Sequence, residues 1–307
     1  LARRSRMDID GQWVVVTGCD SGFGHGIVEA LVARGARVVA FCLTQEGAAS
    51  ALQSGAALAP CLDLADDHAL EAAAGEVETA CGGELWGLVH NAGVVLPGFV
   101  DYQPIDFYRQ VMAVNFFAPV LLTQKLLACL RGRRGRVVVV SSVDGIVSLP
   151  GNAPYDASKF ALEAYADALR AELSFWDVGV SVVNPATMRT PMSEGFFEAH
   201  RKAWLEMQRI DPDGAWRSLW SEEWLDRYIA LNTRQLGQIA QDPAHVIKDI
   251  VHALTAAKPR LRYLSGILAK TVFYALWVGP ESWSYRFKRA MIQPPPDVEA
   301  SGARSSG

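Results

Sequence analysis

Short apolar runs alternate along this chain with longer stretches in which apolar residues recur every three or four positions. The first run is Trp13-Val14-Val15-Val16-Thr17. A run with no polar alternation suits a strand buried on both faces of a parallel sheet. Ile27, Val28, Leu31 and Val32 then share one helical face, which ends at Gly35. Further strand-like runs fall at residues 37–42, 58–62, 85–90, 136–141 and 180–183. Residues 103–131 read as a long helix with Val111, Val114, Phe117, Leu121 and Leu122 turned inward, and residues 152–176 as another. Strand and helix alternate without interruption from Trp13 to Asn184. That pattern predicts an α/β fold, one doubly wound Rossmann-type parallel sheet with helices on both faces.

The organisation follows from this pattern. Residues 10–290 read as a single domain. Within it, residues 10–191 form the core and residues 192–241 a helical lid longer than a sheet connection needs. Residues 242–290 supply a helix, the last strand and a pocket segment. Residues 294–307, rich in Pro, Gly and Ser, read as a disordered tail.

Composition narrows the function. The chain has 307 residues, half of them hydrophobic, and a net charge of −4 with both signs dispersed. No basic footprint points to nucleic acid. The five cysteines are odd in number and form no C-x-x-C pair, which suggests free thiols in a reducing compartment. The six histidines form no H-E-x-x-H, so no metal site is expected. No run of about eighteen apolar residues predicts an ordinary membrane-spanning helix. The first residue is Leu1, not Met, which leaves room for a missing N-terminal anchor or organellar targeting segment.

Chemistry gathers at the ends of the strand-like runs. Thr17-Gly18-Cys19-Asp20-Ser21-Gly22-Phe23-Gly24 lies between a strand and a helix, the setting in which backbone N–H groups and a helix dipole hold a pyrophosphate. Where many such folds carry an acid for the adenosine ribose, this chain has Cys42-Leu43-Thr44. No Arg or Lys stands there to receive a 2′-phosphate, and Asp20 would repel one, so the sequence leans to NAD over NADP. Asp63 reads either as a partner for an adenine amino group or as a helix cap. Asn91-Ala92-Gly93 would let the chain pass close under a cofactor. Asn115 is a lone amide in an apolar helix face, either a satisfied core group or part of a proton path. Ser142 follows a run of valines, and Tyr155 and Lys159 lie one helical turn apart. Such a hydroxyl, phenol and ammonium make a proton-transfer set.

With these motifs in order, the chain resembles the short-chain dehydrogenase/reductase family over residues 10–191. Cys42-Leu43-Thr44 and the glycine turn resemble its retinol and hydroxysteroid dehydrogenase branch, which also includes 3-hydroxybutyrate dehydrogenases. His252-Ala253-Leu254-Thr255 and Arg260-Leu261-Arg262-Tyr263 extend a weaker likeness to about Lys270. The resemblance implies an NAD(P)-dependent exchange of an alcohol with a ketone or aldehyde by hydride transfer, with NAD favoured. It assigns catalysis to Asn115, Ser142, Tyr155 and Lys159. Tyr155 would be the acid/base, Lys159 its electrostatic tuner and a ribose contact, and Ser142 the group orienting the substrate oxygen. Asn115 would hold a proton-relaying water. The cofactor would be held by Thr17, Gly18, Ser21, Gly22, Phe23 and Gly24, then by Asp63 and Leu64, and by Asn91, Ala92 and Gly93. Tyr155, Lys159, Pro185, Thr187 and Thr190 complete that set. Ala186 stands where the family has glycine. A homodimer or homotetramer is implied.

A tyrosine ionises near pH 10 in water. Lys159 and a positive nicotinamide are expected to lower that value by about two or three pH units, into a useful range for a base. The lid carries Phe196, Phe197, Trp204, Met207, Trp216, Trp220, Trp224 and Tyr228. Trp216, Trp220 and Trp224 recur every four residues and suggest one aromatic helical face, mostly packed on the core with some of it lining a pocket. A lipophilic alcohol or ketone, steroid-, retinoid- or isoprenoid-like, is the expected substrate. A small hydroxy acid is the alternative, with Arg201, Lys202 or Gln208 to receive its carboxylate. A catalytically silent dinucleotide-binding sensor or scaffold is the alternative of another class. Residues 272–278 are apolar and read as core or pocket, ahead of docking on a membrane surface.

Overall fold

A computed structural model describes residues 7–292. The basic segment 1–6 and the expected tail 294–307 lie outside the described residues.

The chain builds one six-stranded parallel sheet. Its strands are β1 (Trp13–Thr17), β2 (Arg37–Phe41), β3 (Gly87–His90), β4 (Arg136–Val140), β5 (Gly179–Pro185) and β6 (Arg262–Ser265). Their order across the sheet is β2-β1-β3-β4-β5-β6, with every pairing parallel. The order reverses between β1 and β3, where a doubly wound sheet opens a crevice at the carboxyl ends of its strands.

Helices α1 (Gly22–Val32), α2 (Gln45–Gln53) and α3 (Asp67–Cys81) follow the first strands. Then come α4 (Ile105–Met112), α5 (Ala118–Arg133) and α6 (Ala153–Leu173). The lid holds α7 (Pro191–Glu194), α8 (Phe196–Ile210), α9 (Trp216–Leu219) and α10 (Glu222–Ile239). The chain closes with α11 (Ala244–Thr255), α12 (Tyr274–Val278) and α13 (Glu281–Met291).

Strand periodicity sorts side chains into two layers. Val14, Val16, Val38 and Val138 pack with Ile27 and Leu31 of α1 and with Val246 and Ile250 of α11. Val15, Val39, Val137 and Val139 face the other way, onto Leu70 of α3, Leu122 and Leu126 of α5, and Leu162 of α6. Each fully buried Leu or Ile contributes roughly 1.5–3 kcal/mol of transfer free energy. These two layers hold the strand ends in place beneath the crevice.

Three sequence expectations need correction. Residues 58–62 do not form a strand; only the isolated bridges Val39↔Leu58 and Cys42↔Cys61 join them to the sheet edge. Pro60 is the reason. Ala40 donates to Leu58 O and Cys42 to Pro60 O, but Pro60 has no N–H to return to the ladder. Next, the predicted helix at 103–131 is two α-helices joined by a π-turn at Ala113–Phe117. The whole stretch Ile105–Arg133 is long and apolar enough to cross a membrane by length and composition. Half of its most apolar eighteen-residue window is buried inside the protein, and it packs on the sheet as a core helix. Finally, Trp216, Trp220 and Trp224 do not share one helix. The helix breaks at Trp220, and Ser221 caps α10 by accepting from the Trp224 N–H.

Candidate active site

A cavity of about 650 Å³ opens over the carboxyl ends of the strands. One half is walled by the turn after β1, the ends of β2, β3 and β5, and Asp63 and Leu64. Gly18 takes φ +72°, and a Cβ there would stand 2.7 Å from the Ala92 Cα. Ser21 precedes α1 but makes no side-chain cap, and no acid lies in the first helical turn. By contrast, Thr44 caps α2 and Asp66 caps α3. The first amides of α1 are thus left with no side-chain acceptor at a cavity wall, as an anion such as a pyrophosphate requires. The residues fit a dinucleotide.

Asp20 stands at the far end of this half. Its carboxylate accepts from the Leu43 and Thr44 N–H groups at 2.9 Å each and from Thr44 Oγ1 at 2.8 Å. Asp63 does not cap α3; it accepts from the Ala65 N–H in a local turn, and Asp66 is the cap.

Most sequence-predicted cofactor residues line the cavity: Gly18, Ser21, Gly22, Phe23, Asp63, Leu64, Asn91, Ala92 and Gly93, with Pro185, Thr187 and Thr190 opposite. Thr17, Gly24 and Asn115 stand behind its wall. Thr17 Oγ1 accepts from the Asn91 and Ala92 N–H groups and ties the two turns together. Gly24 is bare because a Cβ there would lie 1.9 Å from Gly18 O. Asn115 sits in the π-turn, a bulge often found at functional sites. Its Oδ1 accepts from Val94 N–H at 2.8 Å, and its Nδ2 donates to Val94 O and Ser158 Oγ at 3.0 Å each. Ala186, in place of the family's glycine, is absent from the left-handed backbone positions, so the turn needs no glycine.

Ser142, Tyr155 and Lys159 meet at the middle of the cavity. Ser142 leaves the end of β4, and its Oγ accepts from the Asp144 N–H at 3.1 Å, which frees its own proton for another acceptor. Lys159 Nζ donates to Val140 O at 2.9 Å and lies 5.3 Å from the centroid of the Tyr155 ring. One turn further along α6, Glu163 pairs with Arg262 of β6 at 2.7 Å.

The protein's own groups set one part of the electrostatics around Tyr155. Burial pushes the Tyr155 phenol above its ordinary value, and the Asp144 charge adds to this, while a hydrogen bond from Ser142 opposes both. Burial lowers Lys159 from 10.5 to about 8, against the pull of Glu163 and Asp144. The protein's own groups therefore hold the phenol neutral, with desolvation of the anion the largest cause. Any lowering must come from charge that binds with the cofactor.

The other half of the cavity is apolar. Phe99, Phe196, Phe197 and Tyr228 face Leu268, Val272, Phe273, Phe287 and Met291 across it. Trp216, Trp220 and Trp224 are not in this wall. They are 6 %, 6 % and 4 % exposed and pack with Tyr102 and Trp204 as the core of the lid. Phe99 stacks on Trp220 with centroids 4.7 Å apart. Arg201, Lys202 and Gln208 do not reach the cavity; Arg201 is paired outside with Glu198 and Asp226. Sequence reading missed Asp144 and Asn152 beside Tyr155, and Phe287 and Met291 from α13. Asp144 had a signal, as the one acid in the apolar stretch between Arg136 and Pro150.

A profile of the short chain dehydrogenase family matches residues 12–201. The chain belongs to that family, and it is an oxidoreductase acting on CH–OH groups with a nicotinamide dinucleotide. Among particular proteins, it is 34 % identical to 17-beta-hydroxysteroid dehydrogenase type 6 of Bos taurus over 280 residues, 89 % of this chain and 86 % of that one. It is 34 % identical to retinol dehydrogenase 7 of Mus musculus over 274 residues, 87 % and 84 % of the two chains. A solved short-chain dehydrogenase from Streptomyces avermitilis superposes with a TM-score of 0.70 at 25 % identity, covering 98 % of this chain and all (100 %) of that one.

Proposed function

We propose that this enzyme interconverts a lipophilic alcohol, of steroid or retinoid character, with its ketone or aldehyde, and that it uses NAD. One observation carries both parts. Among the described residues that line the cavity, Lys159 is the only basic one. A small hydroxy acid would leave its carboxylate without a partner in the apolar half, and a 2′-phosphate would meet Asp20 with no cation to receive it. The similarity to hydroxysteroid and retinol dehydrogenases supports the same substrate class.

The nicotinamide, when bound, supplies the hydride acceptor or donor. Tyr155 exchanges the proton of the substrate oxygen, and Ser142 orients that oxygen through its hydroxyl. Lys159, charged below about pH 8, holds positive potential beside the phenol. Asn115 acts as a positioning residue: its amide holds the Val94 backbone and Ser158 Oγ. The free cysteines support a reducing compartment. Exposed Phe117 and Phe160 on the α5–α6 side support self-association, and exposed Trp277, Val278 and Trp283 support contact with a membrane surface.

Tyr155→Phe is the decisive test. Turnover of a steroid or retinoid alcohol should fall by about 10²–10⁴-fold, the range for losing a general acid/base, while NADH binding by fluorescence titration stays unchanged. Near-normal turnover would remove Tyr155 from the chemistry.

A further inference from the structure

Beside Tyr155 the cavity holds a polar pair that the proton-transfer set does not use. Asp144 lies two residues after Ser142 and lines the cavity. Asn152 donates from Nδ2 to Asp144 Oδ2 at 3.2 Å. Asn152 itself is only 3 % exposed, lines the same cavity, and its Oδ1 has no partner. The Asp144 carboxyl, held by Asn152, therefore stands next to the phenol, in a wall that continues as Val143, Leu149 and Pro150. Burial pushes the Asp144 carboxyl up to about 7, against the hydrogen bond from Asn152 and the charge of Lys159, so it is a carboxylate above that pH; Asp156, held by the Leu149 N–H, is the second acid behind it. Burial and the Asp144 charge push Asp156 toward its neutral form.

An acceptor site bordered by apolar surface is complementary to a donor and hostile to another acceptor, because an anion placed there gives up its water and gains a like-charged neighbour. We propose that Asp144, held by Asn152, selects substrates carrying a second hydrogen-bond donor, a hydroxyl or an ammonium, close to the reacting carbinol, and rejects carboxylates. This rests on Tyr155 marking the reacting end of the cavity. It refines the substrate class from lipophilic alcohols to lipophilic diols and amino alcohols.

Binding is the readout, so that it does not depend on turnover. Titration calorimetry on the enzyme–NADH complex would compare 1,2-octanediol, octylamine, 1-octanol and octanoate. The diol and the amine should each bind about tenfold or more tighter than 1-octanol, the scale of one hydrogen bond to a charged group, and octanoate should bind weakest. Asp144→Asn should erase the advantage of octylamine and tighten octanoate by about tenfold, with NADH affinity unchanged. Asp144→Ser, smaller and uncharged, should shift the same ratio and serves if the asparagine variant does not fold. Advantage for the diol over the amine marks a hydroxyl donor, and the reverse an ammonium; either supports the site. Equal binding of octanoate and 1-octanol to the wild type, or an octylamine-to-octanoate ratio unmoved by both variants, overturns it. Turnover measured in parallel separates the two readings. Charge selection without oxidation of any steroid, retinoid or diol alcohol sinks only the proposed activity, and oxidation without selection sinks only the role of Asp144.

Discussion

The half of the cavity around Gly18 and Gly22 is walled largely by backbone and short side chains, whereas the half around Phe197 and Phe287 is walled by large side chains from distant segments. The first is made of turns at strand ends, whose geometry is fixed by the sheet and by bonds such as those from Asn91 and Ala92 to Thr17. The second assembles from the segment around Phe99, the lid and the C-terminal helices, none of them part of the sheet. A backbone wall can be specified by glycine alone and tolerates no added atom. A side-chain wall has shape without exact identity, because volume-conserving apolar swaps cost little. One half can keep a single cofactor while the other changes substrate.

Gly24→Ala should give the largest effect. The new Cβ would overlap Gly18 O, and that oxygen belongs to a turn already held by Asn91 Nδ2 at 3.1 Å. Neither side can yield cheaply. A loss of about 3 kcal/mol in a urea melt, with weakened NADH binding, is the expected result. Wild-type stability and cofactor affinity in this variant would show that the backbone half is softer than its geometry implies.

Substitution in the apolar half should act on the substrate alone. Phe197→Ala and Phe287→Ala remove facing parts of the wall without touching the glycine turn. Together they should lower kcat/KM for a lipophilic alcohol by about 10–100-fold, mainly through KM, since the lost contacts are uniform binding. The NADH dissociation constant should not move. A fall in cofactor affinity would mean that the two halves are coupled.

This contrast also explains what could be read from the chain. The glycine turn, the Asn91-Ala92-Gly93 turn and the strand ends carrying Ser142 and Pro185 were legible, because each contacts the cavity through residues close in sequence. Thr17 and Asn115 were legible as part of the site from their spacing, and the structure adds that their side chains hold Ala92 and Val94. Phe287 and Met291 were not legible at all. They reach the cavity from beyond β6, and nothing local in α13 distinguishes a residue that folds back from one on a solvated face. The tryptophan spacing misled for a related reason. A four-residue repeat does not reveal the break at Trp220, where Ser221 starts a new helix.

Lys159 lies where the two halves meet, and its burial gives a pH signature. Its value is about 8 in the folded chain against 10.5 unfolded, so the unfolded chain binds more protons between those limits. Its contribution to stability therefore rises with pH across that window, by at most about 1.4 kcal/mol per pH unit. Lys159→Met removes this contribution. The variant should be more stable than wild type at pH 7, and the gap should close by pH 10.5. Urea midpoints at several pH values give the difference directly, and a gap independent of pH would mean that the ammonium is well solvated.

The smallest effect is expected at Arg201, and it tests the boundary of the apolar half from outside. Arg201 was the natural receptor for a carboxylate in the chain, as a cation on the lid helix α8. Its guanidinium is instead engaged by Glu198 and Asp226, both at 2.7 Å and both more than half exposed. Exposed pairs of this kind contribute about 0–1 kcal/mol, since water screens them. Arg201→Ala should therefore shift a urea midpoint only slightly. It should also leave unchanged the ratio of kcat/KM for a lipophilic alcohol to that for 3-hydroxybutyrate. A selective loss of 3-hydroxybutyrate oxidation would require this side chain to swing inward past Trp204 and Phe197. The lid would then be a moving part of the substrate site rather than a fixed wall.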